Sequence, residues 1–99
     1  MTFSLRYTIA ARADIIRLYD FLLERDFLTA EKAVDRIIAT IERLSEFPFA
    51  ARKTPGGNAI LRELLIPFGS PGYIALIQIE DAKTVSILAI RPQHEDDYL

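Results

Sequence analysis

The chain contains no cysteine. A disulfide framework, a thiol nucleophile and a thiolate metal site are therefore excluded, and stability must come from packing, as suits a reducing compartment. No apolar run approaches the roughly 20 residues that span a bilayer, and MTFSLRYTIA lacks the basic-then-apolar layout of a secretory signal. The expected location is the cytoplasm, without a membrane partner. An excess of positive charge is also missing: 12 Lys and Arg stand against 14 Asp and Glu, a formal net charge of -2, and the pI is near 5.3. Affinity for nucleic acid comes mostly from Lys and Arg neutralising phosphates, so phosphate binding is not the expected main business of this chain. There is no Walker loop, dinucleotide glycine turn, HExxH or serine elbow, and Gly56-Gly57 precedes a strand rather than opening a helix.

What is present is a balanced composition, 51% hydrophobic and 26% charged over 99 residues, which predicts one folded domain over residues 1–99 with a core of its own. Phe3, Leu5, Tyr7 and Ile9 alternate with polar residues, the period of a half-buried strand. From Arg12 the period becomes helical: Ile15, Leu18, Tyr19, Leu22 and Leu23 share one side, with Arg12, Asp14, Arg17, Asp20 and Glu24 on the other. A break follows at 26–29. Thr29 is then expected to cap a second helix, with Glu31 in its first turn and Ala30, Ala33, Val34, Ile37, Ile38, Ile41 and Leu44 as its apolar stripe, until Pro48 stops it. The short loop predicts an antiparallel helical hairpin.

SEFPFAARKTPGGNA reads as a loop, and three β-runs close the chain: ILRELLI, GYIALIQIE and TVSILAI. Residues 80–83 make a tight turn between the last two. The expected fold is α+β, in the order β-α-α-β-β-β: an antiparallel sheet with an N-terminal strand and the helical hairpin packed on one face. The last two runs are apolar on nearly every position, yet two helices cover only one face. A protein partner on the other face is the expectation.

The polar residues placed to converge around the sheet are Arg62, Tyr73, Gln78, Arg91, His94, Glu95 and Tyr98. Arg62 has two readings, a functional cation or an ion pair with Glu63 or Glu80. Tyr73 reads as core with its hydroxyl at the rim. His94 is a general acid or base, or a solvated side chain. Glu95, Asp96 and Asp97 are consecutive and do not point into one coordination sphere, so neither a metal nor a cofactor is expected.

Taken together, ARADIIRLYDFL, AEKAVDRIIATIERLSEFP and LRELLIPFGSPGYIALIQIEDAKTVSILAIRPQHEDDY resemble the RelE/ParE family of bacterial type II toxins along nearly the whole chain. The resemblance rests on Ala11, Ala13-Asp14 and Ile16 at the first helix, Leu44 to Pro48 closing the second, Arg62-Glu63, Gly72-Tyr73, and Val85 to Arg91. It implies a toxin silenced by a cognate antitoxin, with operator DNA contacted only through that antitoxin. RelE-like members cut mRNA on the ribosome with basic and aromatic residues, whereas ParE-like members poison DNA gyrase. Here Gln78 stands where the family often has arginine, and Arg91-Pro92-Gln93-His94-Glu95 stands where it commonly reads Arg-His-Gln-Arg-Glu. Pro92 removes an imidazole and a backbone donor, and His94 replaces a permanent cation. With the acidic pI, this points to the ParE-like branch: a non-enzymatic toxin contacting gyrase through Arg62, Tyr73, Arg91, His94, Glu95 and Tyr98. The alternatives are a ribosome-dependent endoribonuclease using Arg62, Tyr73, Arg91, His94 and Tyr98, or an attenuated toxin that keeps only antitoxin binding.

Overall fold

In the computed structural model, residues 2–56 and 59–93 are described. The chain starts with strand β1 (Ser4–Tyr7), whose pairing ends where Thr8 opens helix α1 (Ile9–Leu23). The Thr8 hydroxyl accepts the backbone N–H of Ala11 at 3.1 Å and lies 3.0 Å from the Ile87 carbonyl, to which it donates. This one side chain ends the strand and caps the helix, which is why α1 begins earlier than the apolar periodicity from Arg12 indicates. Helix α2 (Phe27–Glu42) is capped by Asp26 rather than by the expected Thr29. The Asp26 carboxylate accepts from the backbone N–H and the hydroxyl of Thr29 at 2.9 and 2.6 Å, and these bonds hold its pKa below the usual carboxylate range. Thr29 is thus inside the first turn. Glu31 leaves the dipole role expected of it and accepts the Tyr19 hydroxyl at 2.6 Å, joining the two helices.

After α2 come two 3₁₀ turns, Arg43–Ser45 and Pro48–Ala50, and then a two-residue strand, β2 (Arg52–Lys53). The segment expected to be loop therefore carries an extra edge strand, paired with β3 (Leu61–Ile66). Strands β4 (Tyr73–Ile79) and β5 (Thr84–Pro92) complete the meander. Asp81 closes the tight turn between them, accepting the N–H groups of Lys83 and Thr84 at 2.7 and 2.9 Å.

The strand order is β1-β5-β4-β3-β2, and the α+β order of elements is the expected one. The meander is antiparallel, but β1 joins β5 in parallel, from Ser4 opposite Thr84 to Tyr7 opposite Ile87, so the sheet is mixed. Parallel neighbours need a crossover, and the helical hairpin with the first strands of the meander supplies it.

Ile37, Ile41 and Leu44 bury their side chains against Ile66, Ile77, Val85, Ile87 and Ile90. Full burial of each such side chain contributes about 1.5–3 kcal/mol. Tyr7 sits beside this core with its hydroxyl buried and without a partner among the described residues. Burial and the charge of Glu42 push its pKa up to about 12. Among the described residues no helix is long and apolar enough to cross a membrane.

Candidate functional site

The register fixes what the uncovered face of the sheet presents. Glu63 lies opposite Leu76, which lies opposite Ala89; one step toward the other end, Leu65, Ile74 and Arg91 form the parallel row. Ile74, Leu76 and Ala89 are only half-buried because no helix reaches them. They floor a groove of about 560 Å³ bordered by Arg52 and Arg91, with Glu63 between. Arg52 Nε donates to Glu63 Oε1 at 3.1 Å, which neutralises one border.

The other border is built at the free edge of β5. Pairing with β1 ends at Ile87, so the backbone of β5 beyond that point needs another partner. Helix α1 supplies one: Asp14 Oδ2 accepts the Ile90 N–H at 2.9 Å. Asp14 is 5% exposed, although its place in the helical pattern assigned it to the solvent side. A carboxylate is tolerated there because it is both hydrogen-bonded and paired. Its Oδ1 accepts from Arg17 one turn along the helix, and its Oδ2 lies 3.9 Å from Arg91 Nε. The two guanidiniums flank this one carboxylate while their side chains remain 67% and 54% exposed.

A second cleft, of about 480 Å³, lies between α1 and the turn from β3 to β4, with Pro92 in its wall as in that of the first. Leu18 and Phe21 face Phe68, Pro71 and Tyr73 across it. Tyr73 stacks on Phe68 with ring centroids 6.3 Å apart, and burial pushes its hydroxyl pKa up. That agrees with a core side chain whose hydroxyl lies near a rim.

The expected residues do not all converge. Tyr73 pairs with Pro92, which puts it at the same end of the sheet as Arg91. Arg62 pairs with Ile77, four residues along β4, a separation of roughly 13 Å at ~3.3 Å per residue, and shares the helix-side face. Its Nη1 donates to the Ala51 carbonyl at 3.1 Å and its Nε to that of Ala59 at 3.2 Å, while the guanidinium lies 5.0 Å from the Phe49 ring centroid. Arg62 thus staples its own loop. Neither expected ion pair forms, because Glu63 takes Arg52 and Glu80 takes Gln78, whose Nε2 donates at 3.1 Å. His94, Glu95 and Tyr98 lie outside the described residues. The sequence reading did not single out Asp14 and Arg17 as site residues. Their i, i+3 spacing was a visible signal, but the contact with Ile90 joins residues 76 positions apart. No group of three potential metal ligands occurs among the described residues.

Comparison with known proteins agrees with this architecture. Toxin RelE1 of Caulobacter vibrioides is 32% identical over 74 residues, covering 75% of this chain and 76% of its own. Toxin RelE3 of the same bacterium is 33% identical over 64 residues, 65% of this chain and 66% of its own. Among solved structures, a chain of the chromosomal ParDE toxin–antitoxin system from P. aeruginosa superposes with a TM-score of 0.72 at 24% identity, covering 91% of this chain and 95% of that one. A chain of the RelBE2 toxin–antitoxin complex from Mycobacterium tuberculosis gives 0.67 at 21% identity, covering 94% and 100%. These two likenesses concern the fold. The family described as "ParE toxin of type II toxin-antitoxin system, parDE" matches residues 5–97. With a match over nearly the whole chain and a curated toxin at 32% identity, this chain belongs to the ParE toxin family, within the RelE/ParE superfamily of type II toxins.

Proposed function

We propose that this toxin inhibits growth by protein–protein contact with DNA gyrase in the cytoplasm, and that a cognate antitoxin neutralises it by covering apolar surface of the open sheet face. The observation that carries the reading is the composition of that face: an apolar floor of Ile74, Leu76 and Ala89 with arginine only at its borders, Arg52 paired with Glu63 and Arg91 beside Asp14. An apolar centre with a charged rim is the anatomy of a protein interface. A nucleic-acid surface would carry several cations free to neutralise phosphates. Arg62 is committed to carbonyls of its own loop, and Gln78 to Glu80, which supports the same reading. The antitoxin is proposed from family membership and from the toxin–antitoxin systems to which both structural neighbours belong. Operator DNA would be reached through the antitoxin.

The test is supercoiling of relaxed plasmid by purified gyrase in an excess of the toxin, run beside a translating extract in which message cleavage is mapped. Loss of supercoiling with intact message is the expected result. Normal supercoiling with message cut at codon edges would replace this reading by ribosome-dependent endoribonuclease activity, with Arg62, Tyr73, Arg91, His94 and Tyr98 as the residues to test. Neither effect, together with harmless expression of folded protein, would identify an attenuated toxin.

A further inference from the structure

Strand β2 ends before it has covered the edge of β3. The Leu61 carbonyl accepts from Thr54, just past β2, whereas the Ile60 carbonyl accepts from Ile79 of β4. Main-chain groups alternate in direction along an antiparallel strand, so Leu61, Glu63 and Leu65 turn theirs away from β4. Arg52 pairs with Glu63, but Ala50, which would continue β2 opposite Leu65, belongs to a 3₁₀ turn. The outward N–H and C=O of Leu65 therefore have no partner among the described residues. An unpaired length of edge is a template for another strand. Beside it, between this edge and the end of α2, lies a third cleft of about 440 Å³. Buried Leu44 and half-buried Leu64 line it, together with exposed Phe47 and Leu65. Arg36 and Arg43 line it too, two turns apart along α2 and its C-cap. Arg36 Nη1 donates to the Pro67 carbonyl at 2.8 Å, a neutral partner that leaves its charge uncompensated. Among the described residues the Arg43 side chain has no hydrogen bond, and neither arginine enters an ion pair, even with Glu46 one turn beyond Arg43. The negative end of the helix dipole accounts for a cation at Arg43 but not for a second one two turns earlier.

We propose that this cleft docks an extended segment of a protein partner, which pairs with the main chain of Leu65, sets an Asp or Glu against Arg36 and Arg43, and packs a large apolar side chain on Leu64 and Phe47. Charge complementarity selects the acid, because a guanidinium presents its N–H donors in a planar fork that fits a carboxylate. The open edge selects a polypeptide over a nucleic acid, because only a strand returns both a donor and an acceptor to Leu65. Side chains of a strand alternate between faces, so the acid and the apolar residue, which both face α2, stand two positions apart. The residue between them turns with the exposed Leu65 side chain toward the other face of the sheet. No residue of this cleft lines the groove of the open face, so the site is additional to the surface on which the gyrase reading rests.

The experiment is selection from a displayed library of random peptides on the full chain, followed by affinity measurement on single variants whose melting temperatures are recorded. The expected peptides carry an acidic residue two positions from a large apolar one. They should lose about tenfold or more in affinity on Arg43→Ala or on Arg36→Ala, whereas Arg12→Ala, which removes the same charge from α1, should leave binding unchanged. Changing the acidic residue of the peptide to its amide should cost a similar factor, and little further once both arginines are alanine. Arg36→Lys should retain part of the affinity. Amide exchange at Leu65 should slow when peptide binds, a readout that needs no substitution and so holds even if Arg36→Ala fails to fold. The docking site is wrong if nothing is enriched, if the enriched peptides lack an acid, if Arg43→Ala binds them as the parent does, or if Leu65 exchanges at the same rate with and without peptide. Displacement of the peptide by a short single-stranded RNA as effective as unlabelled peptide would also overturn it. Because gyrase takes no part in this assay, failure of the docking site and failure of the gyrase reading are separately visible.

Discussion

Replacing Asp14 by alanine removes the acceptor that closes the edge of β5, and the cost can be worked from its contacts. The Ile90 N–H, now bonded at 2.9 Å beneath α1, would be left buried without a partner. Such an orphaned donor costs about 1–3 kcal/mol, with bonds to charged acceptors toward the upper end. The ion pairs add little, because both guanidiniums are more than half exposed and remain solvated without the carboxylate. The expected loss is about 2–3 kcal/mol, a substantial fraction of the ~5–15 kcal/mol that holds a typical domain together. At roughly 4–8 °C per kcal/mol for a domain near this size, the melting temperature should fall by about 8–24 °C. Asp14→Asn retains an oxygen for Ile90 and should lose about half as much. Arg91→Ala and Arg17→Ala, which leave that bond in place, should stay within about 0.5 kcal/mol of the parent. Urea denaturation followed by circular dichroism gives these values, and amide exchange at Ile90 reports the bond itself. If Asp14→Ala unfolds within about 0.5 kcal/mol of the parent, or Ile90 exchanges no faster, the carboxylate is not what secures α1 to β5.

Two further outcomes follow from the geometry. Gly72 has φ +99°, and a Cβ there would meet the Ile66 carbonyl oxygen at 2.8 Å, so Gly72→Ala should lower stability in thermal melts by at least about 1 kcal/mol; an unchanged melt would show that this turn relaxes freely. Tyr7 holds its proton up to about 12 against 10.0 for an unperturbed phenol. Between those pH values the unfolded chain releases a proton that the folded chain keeps, so the stabilisation is complete below the lower value and is lost as pH rises through the window. Tyr7→Phe should flatten this alkaline decline at little cost near neutrality, because the lost hydroxyl has no partner among the described residues. An alkaline unfolding curve identical to the parent's would assign the decline to other groups.

The helical hairpin and the meander were legible because their signals are local. Four-residue spacing of Ala33, Ile37 and Ile41 along α2 matches three buried positions, and the nearly continuous apolar run of β4 matches a strand buried on one face and half-buried on the other. The second cap was misplaced because Asp26 and Thr29 are both good capping residues three positions apart, and only the backbone shows that Asp26 lies outside the helix while Thr29 lies within it. Strand β2 escaped because two residues carry no periodicity; β3 and the staple from Arg62 hold them extended. Arg62 itself is a cation beside Glu63 in the sequence, with nothing to indicate that loop carbonyls would claim it first.

By itself the sequence determined the α+β order of elements, the excess of apolar sheet surface over what two helices can cover, and the family resemblance, because all three follow from patterns repeated along the chain. The tertiary structure alone decided that β1 runs parallel to β5, that Tyr73 and Arg91 share one end of the sheet while Arg62 does not, and that Asp14 turns inward. Pairing partners and buried hydrogen bonds join residues that are distant in sequence. A carboxylate in a helix reads as solvated until a backbone N–H that must be satisfied is brought against it, and here that donor lies 76 residues away.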